Sequence, residues 1–543
     1  MTATAADIDN LPVCLIGAGS SGLTTAKALL ERGVAFECFE IGSDIGGMWR
    51  YENDNGLSSA YRSLHIDTSR GNLGYSDFPI AERYPDFLSH VEVLEHLEAY
   101  ADRFGLRPHI RFNTRVEKVE RLPDGSWQVG AGGGIYRRYR AVLVANGHLW
   151  DPRWPAFDGE FAGDVIHSHH YRTAAPYRDK RVLVVGIGNS AVDIAVDVCK
   201  SAAATFVSSR RSAWIMPKYI MGIPIDRWSS SLAVKLKLPT RLTRSIVKRL
   251  MYLVVGDQAR FGVPHPKHPI WREHATLSQE LLPYAGHGWI KFKPDVRRLN
   301  ARQVHFADDS VEEFDAIIYA TGYKTTFPFL DPQLFRVGDG DARLYRRMLP
   351  PGLPGLYFVG LVQPIGPTIP LVEVQAQWLA GVLSGATVLP DAAAMEREIA
   401  AHRETPLQQF RRHALAGVGD AQLNLSGTHL DLDVDPTPVR RVFGGIGEQV
   451  GQHLYQAFGI RAHRSRLGRR VQRKVVPAGV YQWPDLLDGL EHGLMDIQSD
   501  QVEAHLSARD TRDVQEIVHQ THHMAHLAGD DRAGSLHSGG VDV

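Results

Sequence analysis

The chain has 543 residues, 44% of them hydrophobic and 22% charged, with 60 Lys and Arg against 61 Asp and Glu. That length exceeds what one hydrophobic core organises, so two or more domains are expected. A net charge of −1 supplies no long-range field for nucleic acid or an anionic membrane, although local basic patches remain open.

Met1 to Asn10 is polar and acidic, unlike a secretory signal. No apolar run approaches the roughly 20 residues that cross a bilayer, and Leu250 to Val255 is far too short. Cys14, Cys38 and Cys199 fall in apolar strand or helix patterns and read as core residues, not as a disulfide framework. These features point to a cytoplasmic protein in a reducing compartment.

The first informative segment is Val13 to Glu40. Val13-Cys14-Leu15-Ile16 reads as a parallel strand covered on both faces. Gly17-Ala18-Gly19-Ser20-Ser21-Gly22 follows, then apolar residues at helical spacing from Leu23 to Arg32, with Gly33 ending the helix. Val34 to Phe39 is a second strand, closing on Glu40. Gly17 permits a tight turn, Gly19 lets the backbone approach a pyrophosphate, and Gly22 lets helix and strand pack closely. Phosphates would meet the free N–H groups of the helix N-terminus around Ser21. Glu40 stands where a carboxylate accepts hydrogen bonds from ribose hydroxyls. A lone glycine triplet would be weak evidence and would fit a structural turn; here strand, loop, helix, strand and acid come in order.

The pattern repeats. Arg181 to Val185 is a strand, and Gly186-Ile187-Gly188-Asn189-Ser190-Ala191 opens a helix through Val198, with Ala191 small enough for the third glycine position. The next strand, Thr205-Phe206-Val207, ends not in an acid but in Ser208-Ser209-Arg210-Arg211. A carboxylate there would repel the 2′-phosphate of NADP, whereas a guanidinium binds it bidentately, so this second site reads as NADPH-selective. The plainer reading is that Arg210 and Arg211 solvate a strand end.

Two such starts suggest a flavoprotein that takes hydride from a nicotinamide. Ala141 to Gly147 and Asp315 to Tyr323 are apolar runs ending in small residues, and both read as strands whose ends let the chain pass between domains close to the cofactors. The second domain then reads as an insertion in the first.

At this point the chain resembles the class B flavin-containing monooxygenases, relatives of the Baeyer–Villiger enzymes, from about Pro12 to Arg412. Phe161 to Tyr171 matches the family signature F-x-G-x-x-x-H-x-x-x-[Y/F/W], just ahead of the second glycine loop. Gly46-Gly47-Met48-Trp49, Ser76-Asp77-Phe78-Pro79, Ala320-Thr321-Gly322-Tyr323 and Gly360-Leu361-Val362-Gln363 also match in order.

The resemblance implies an α/β fold of two dinucleotide-binding Rossmann-like domains. An FAD-binding domain (9–165 and 326–412) is interrupted by an NADPH-binding domain (166–325), and a divergent C-terminal extension follows. It implies FAD contacts from Gly17, Gly19, Ser21, Gly22, Glu40, Gly47, Met48, Trp49 and Gln363. NADPH contacts are implied from Gly186, Gly188, Asn189, Ser190, Arg210, Arg211, Ala320, Thr321 and Gly322. The implied chemistry is reduction of FAD by NADPH, addition of O2 to give a C4a-hydroperoxide, and oxygen transfer to a small nucleophile. NADP+ stays bound meanwhile, the protein supplies positioning and exclusion of water, and no metal is required.

Asp67 stands where the family has an Asn that contacts flavin and nicotinamide. An amide donates a hydrogen bond, whereas an ionised carboxylate only accepts. Either Asp67 is protonated through burial, or it binds ribose or nicotinamide amide groups, or it is a loop acid without a catalytic part. His167 belongs to the signature, where relatives suggest a conformational role. Tyr171 stands where typical Baeyer–Villiger enzymes have Trp, which favours oxygenation of nitrogen or sulfur over ketone oxidation.

Beyond His413 the family pattern is lost. Leu423 to Asp435 alternates as a strand or hairpin would, and Arg461 to Lys474, with seven Lys or Arg, reads as a solvated basic face. His519, His522, His523 and His526 share one helical face, but no accompanying Cys or H-E-x-x-H pattern supports a metal site. Gly529 to Val543 reads as a disordered tail. Two rivals stay open: a flavin reductase, for which no C-x-x-C or C-x4-C pair exists, and a non-catalytic nucleotide-binding protein. Oligomeric state is open, a homo-oligomer included.

Overall fold

A computed structural model describes residues 8–228, 240–270, 275–335, 337, 343–362, 364 and 366–403. The readings placed on Gln363, on Leu423 to Asp435, on Arg461 to Lys474, on the four histidines and on the tail lie outside the described residues.

The chain begins its first sheet with β1 (Val13–Ile16), whose four residues are all buried. Then come α1 (Ser20–Glu31), β2 (Phe36–Phe39), α2 (His90–Arg103), β3 (Ile110–Arg111) and β4 (Ala141–Val144). A second set follows: β5 (Asp164–His167), β6 (Arg181–Val185), α3 (Asn189–Cys199), β7 (Ala204–Ser208), β8 (Ile290–Lys293) and β9 (Ala316–Tyr319). The chain then returns with β10 (Leu356–Phe358) and α4 (Ile369–Leu383). The first sheet has the order β10-β4-β1-β2-β3 and the second β5-β9-β6-β7-β8. Every pair in both is parallel.

Strand periodicity divides each sheet between two cores. Val13 and Leu15 face α1 and α4, packing with Leu23, Leu29 and Leu379, while Cys14 and Ile16 face Trp127, Val142 and Phe358. In the second sheet Val182 and Val184 meet Ile194 and Val198 of α3, whereas Leu183 and Val185 meet Phe206, Phe306 and Phe314. The non-helical face of each sheet is covered by antiparallel strands. Those of the first are Val116–Arg121, Trp127–Ala131 and Ile135–Tyr139. Those of the second include Val296–Ala301 and Gln303–Phe306. Asp158–Phe161 runs beside Val296–Ala301, and β5 beside β9, so both pack with the second sheet although they start before residue 166.

Between β7 and β8 the chain builds a small core of its own from Met216, Ile220, Ile225, Met251 and Ile270. The three cysteines are buried and free, and burial pushes every thiol up, which keeps them protonated. Among the described residues no helix is long and apolar enough to cross a membrane. None of their groups of His, Cys, Asp and Glu could hold a metal ion.

Candidate functional site: two glycine loops and the strap between them

The two glycine loops are built alike. Gly17 N–H donates to Phe39 O at the end of β2 (2.8 Å), and Ala145 N–H donates to Ile16 O (2.8 Å). Gly17 has φ +103°, and a Cβ on it would stand 2.5 Å from the Ala145 carbonyl oxygen. In the second domain Gly186 N–H donates to Ser208 O (2.9 Å) and Ala320 N–H to Val185 O (2.8 Å). Gly186 has φ +136°, with its missing Cβ 2.3 Å from the Ala320 oxygen. The segments after β4 and β9 therefore cross beneath the glycine turns in the same way, and a side chain in either turn would displace the crossing strand.

Each loop feeds a helix whose N-terminus is left open. The N-caps are Gly19 and Gly188, both extended, neither with a side-chain cap, and no acid stands in either first turn. By contrast α2 is closed by a capping box in which Ser89 and Glu92 satisfy each other's backbone N–H groups. Helix N-termini carry partial positive charge and unpaired donors, so open ends beside glycine turns suit a pyrophosphate. The residues present thus fit two dinucleotides.

Glu40, only 4% exposed, accepts from Ala18 N–H and Gly42 N–H, each at 2.8 Å. Burial pushes its carboxyl up, and those two N–H groups and Arg50 pull against that. Its first job is to tie β2 to the glycine loop; each oxygen retains a lone pair for a ribose hydroxyl. Gly46 N–H donates to Ala18 O, which lays the Gly47–Trp49 turn on the loop, with a Cβ on Gly47 only 3.2 Å from Gly19 Cα. Met48 O accepts from Ser58 Oγ (2.7 Å), and Trp49 packs on the first core. Ser21 lies against Gly360, whose N–H donates to Gln375 Oε1 (3.0 Å).

On the second loop, Asn189 Oδ1 accepts from Leu277 N–H (3.0 Å), while Ser190 is half-buried beside it. Arg210 and Arg211 follow β7 after Ser209 and are exposed. Thr321 Oγ1 donates to Arg153 O (2.5 Å) and Gly322 O accepts from Arg153 N–H (2.9 Å), which fixes the crossover.

A strap from the first domain, residues 58–69, fastens to the second. Arg172 Nη2 donates to Ser58 O, and Tyr61 Oη donates to Asp193 Oδ2 (2.8 Å). Ser63 Oγ (3.1 Å) and Tyr171 Oη (2.6 Å) both donate to Asp197 Oδ2. Asp193 and Asp197 are four residues apart on α3 and so share a face. Asp67 Oδ1 lies 3.1 Å from Lys218 Nζ, with both side chains largely buried. A neighbouring ammonium favours the charged form of a carboxylate, and a charged carboxylate accepts hydrogen bonds without donating. His167 is fully buried, its Nδ1 accepting from His169 N–H; burial, then His169, hold it down to about 4, so it is neutral across the physiological range.

Sequence reasoning missed Tyr61, Ser63, Asp193, Asp197, Lys218 and Gln375. Their partners stand 132 and 134 positions away for Tyr61 and Ser63, beyond any local pattern. The one available signal was Asp193 and Asp197, two acids on an otherwise apolar helix.

With this geometry established, the family described as flavin-binding monooxygenase-like matches residues 11–419. The chain belongs to that family. Among its relatives, flavin-containing monooxygenase 5 of Rattus norvegicus is 36% identical over 429 residues, which is 75% of this chain and 80% of the relative. Dimethylaniline monooxygenase [N-oxide-forming] 2 of the same organism is 37% identical over 420 residues, 73% of this chain and 78% of the relative. The solved structure of S-allyl-L-cysteine S-oxygenase from Allium sativum superposes with a TM-score of 0.58 at 25% identity, covering 82% of this chain and 94% of that one. The monooxygenase is accordingly an FAD- and NADPH-dependent enzyme acting with O2 on a small substrate.

Proposed function

We propose that the enzyme oxygenates a soft nucleophilic nitrogen or sulfur of a small organic molecule. The observation that carries this is its 37% identity, over 420 residues, to a relative named for N-oxide formation. The name of the Allium S-oxygenase points to the neighbouring heteroatom. Tyr171 supports it too, because it closes the signature where typical Baeyer–Villiger enzymes have Trp.

In this reading FAD lies on the first loop, held by Gly17, Gly19, Ser21, Gly22 and Glu40 and covered by Gly47, Met48 and Trp49. NADPH lies on the second, held by Gly186, Gly188, Asn189 and Ser190. Arg210 and Arg211 take its 2′-phosphate, and Ala320, Thr321 and Gly322 close the crossover. Together the bound pair supply hydride transfer and activation of O2. The protein's own part is placement: both glycine turns fix the pyrophosphates, and the strap keeps the two domains in register. Asp67, paired with Lys218, accepts hydrogen bonds and orients groups. No side chain is needed as a nucleophile.

A product screen tests the proposal. The FAD-loaded enzyme is given NADPH, air and, separately, N,N-dimethylaniline, methyl phenyl sulfide and cyclohexanone. N-oxide or sulfoxide in amounts matching NADPH consumed is the expected result. Lactone as the sole product would transfer the enzyme to ketone oxidation. Stoichiometric H2O2 with every substrate would make it a reductase.

A further inference from the structure

Two carboxylates and one ammonium meet where the strap touches α3. Asp193 comes from the helix, Asp67 from the strap and Lys218 from the stretch after β7; Lys218 pairs with Asp67 at 3.1 Å. Tyr61 Oη donates to Asp193 at 2.8 Å. Tyr61 itself is 3% exposed and packs edge-on against Tyr171, with ring centroids 5.9 Å apart, so this donor cannot swing away. Glu280, just ahead of Leu281–Gly286, also acts on Asp193; it is exposed and pairs with Lys200 at 3.3 Å. With both aspartates ionised, the trio carries one excess negative charge in a half-buried place, and like charges there resist joint ionisation.

Asp193 is also close to the second glycine loop. It is the fifth residue of α3, so at 1.5 Å per residue it lies about 7.5 Å along the axis from Gly188. Helical side chains lean toward the N-terminus, which brings the carboxylate nearer still. A dianionic pyrophosphate on that N-terminus would therefore face a carboxylate on the same helix.

We propose that Asp193 is a proton-linked affinity residue of the dinucleotide site: the Asp67–Asp193–Lys218 cluster takes up a fraction of a proton when NADP(H) binds, and gives it back when the dinucleotide leaves. This rests on the reading of Gly186 to Ser190 as the pyrophosphate cradle. The step is a proton exchange with solvent only, with no bond formed or broken in the cofactor. Burial, then Asp67, push the Asp193 carboxyl far above the usual carboxylate range, while Lys218 and the Tyr61 hydroxyl oppose this. The sign follows: protonated Asp193 does not repel the incoming anion, so binding tightens as pH falls through its titration. One carboxylate about 8 Å from the two charges of the pyrophosphate, through an effective dielectric constant of about 40, changes affinity roughly thirtyfold.

The test is NADP+ binding to the FAD-loaded protein by calorimetry, from about pH 5.5 to 9, in two buffers of different ionisation enthalpy to count protons. The wild type should take up a fraction of a proton near the midpoint and bind roughly thirtyfold more weakly above it than below it. D193N should bind at the tighter level throughout, with no proton uptake. K218M removes the cation, and Y61F the donor, that favour the charged form, so both should move the midpoint up. D67N removes the repelling neighbour and should move it down. A purely structural role would give no such opposed shifts. Binding that is normal but independent of pH, or midpoints unchanged in K218M and D67N, would overturn the proposal. Failure of the wild type to bind NADP+ at any pH would instead refute the cradle reading on which it rests.

Discussion

Replacing Arg210 and Arg211 with alanine is the sharpest probe of cofactor selectivity. Both follow β7 and are exposed, so their removal costs the fold little. A well-formed hydrogen bond between charged partners is worth about 1.5–3 kcal/mol. Solvent screening at an exposed site reduces that to about 1 kcal/mol per arginine. Two arginines then contribute about 2 kcal/mol, equivalent to roughly 30-fold in kcat/KM at 1.4 kcal/mol per decade. NADH lacks the 2′-phosphate, so its kcat/KM should stay nearly constant and the NADPH preference should fall by that factor. The assay is initial-rate oxidation of each nucleotide at fixed substrate, with thermal melts to verify folding. If NADPH and NADH activities fell in parallel, or if selectivity did not change, the two arginines would be solvating a strand end and nothing more.

Other perturbations follow from the same geometry. In Gly22→Ala the new Cβ would stand 1.9 Å from Gly17 O, so the loop must open; the variant should lose bound FAD, read as the ratio of flavin to protein absorbance, and about 1–3 kcal/mol of stability. Tyr171→Phe removes the 2.6 Å bond to Asp197 but leaves Ser63 in place, and should cost about 1–2 kcal/mol in urea unfolding with FAD content unchanged. His96 and His167 are buried and held down to about 4, in each case first by burial. Because the unfolded chain binds those protons at the ordinary histidine value of 6.5, stability should fall as pH drops from there toward 4 and no further on their account. His96→Phe should flatten part of that slope in melts taken at stepped pH.

Much of the architecture was legible because parallel strands covered on both faces must be solidly apolar. Val13–Ile16, Ala141–Val144 and Ala316–Tyr319 announce themselves in that way, and the glycines after two strands mark where the backbone must turn sharply. Ends were legible too: Gly33 stops α1 with φ +65°. What closes the opposite face of each sheet was not legible. The antiparallel covers, such as Val116–Arg121 with its pattern of two buried residues among exposed ones, carry a weak local signal and are identified only by what they pack on. The strap was hidden for a similar reason. Tyr61, Asp193 and Lys218 each look ordinary in sequence, and their meaning comes from a fold that brings three distant segments to one point. Asp67 looked like a missing amide, and its partner Lys218, 151 positions further on, could not be read from any local pattern.

The central claim is that electrons from NADPH are spent on placing one atom of O2 in an organic product. Turnover of N,N-dimethylaniline or methyl phenyl sulfide under 18O2, with NADPH oxidation followed in parallel, tests it most directly. One 18O atom in the product for each NADPH oxidised is the predicted result. Product oxygen drawn from water, or no product while H2O2 accounts for all the NADPH, would contradict it.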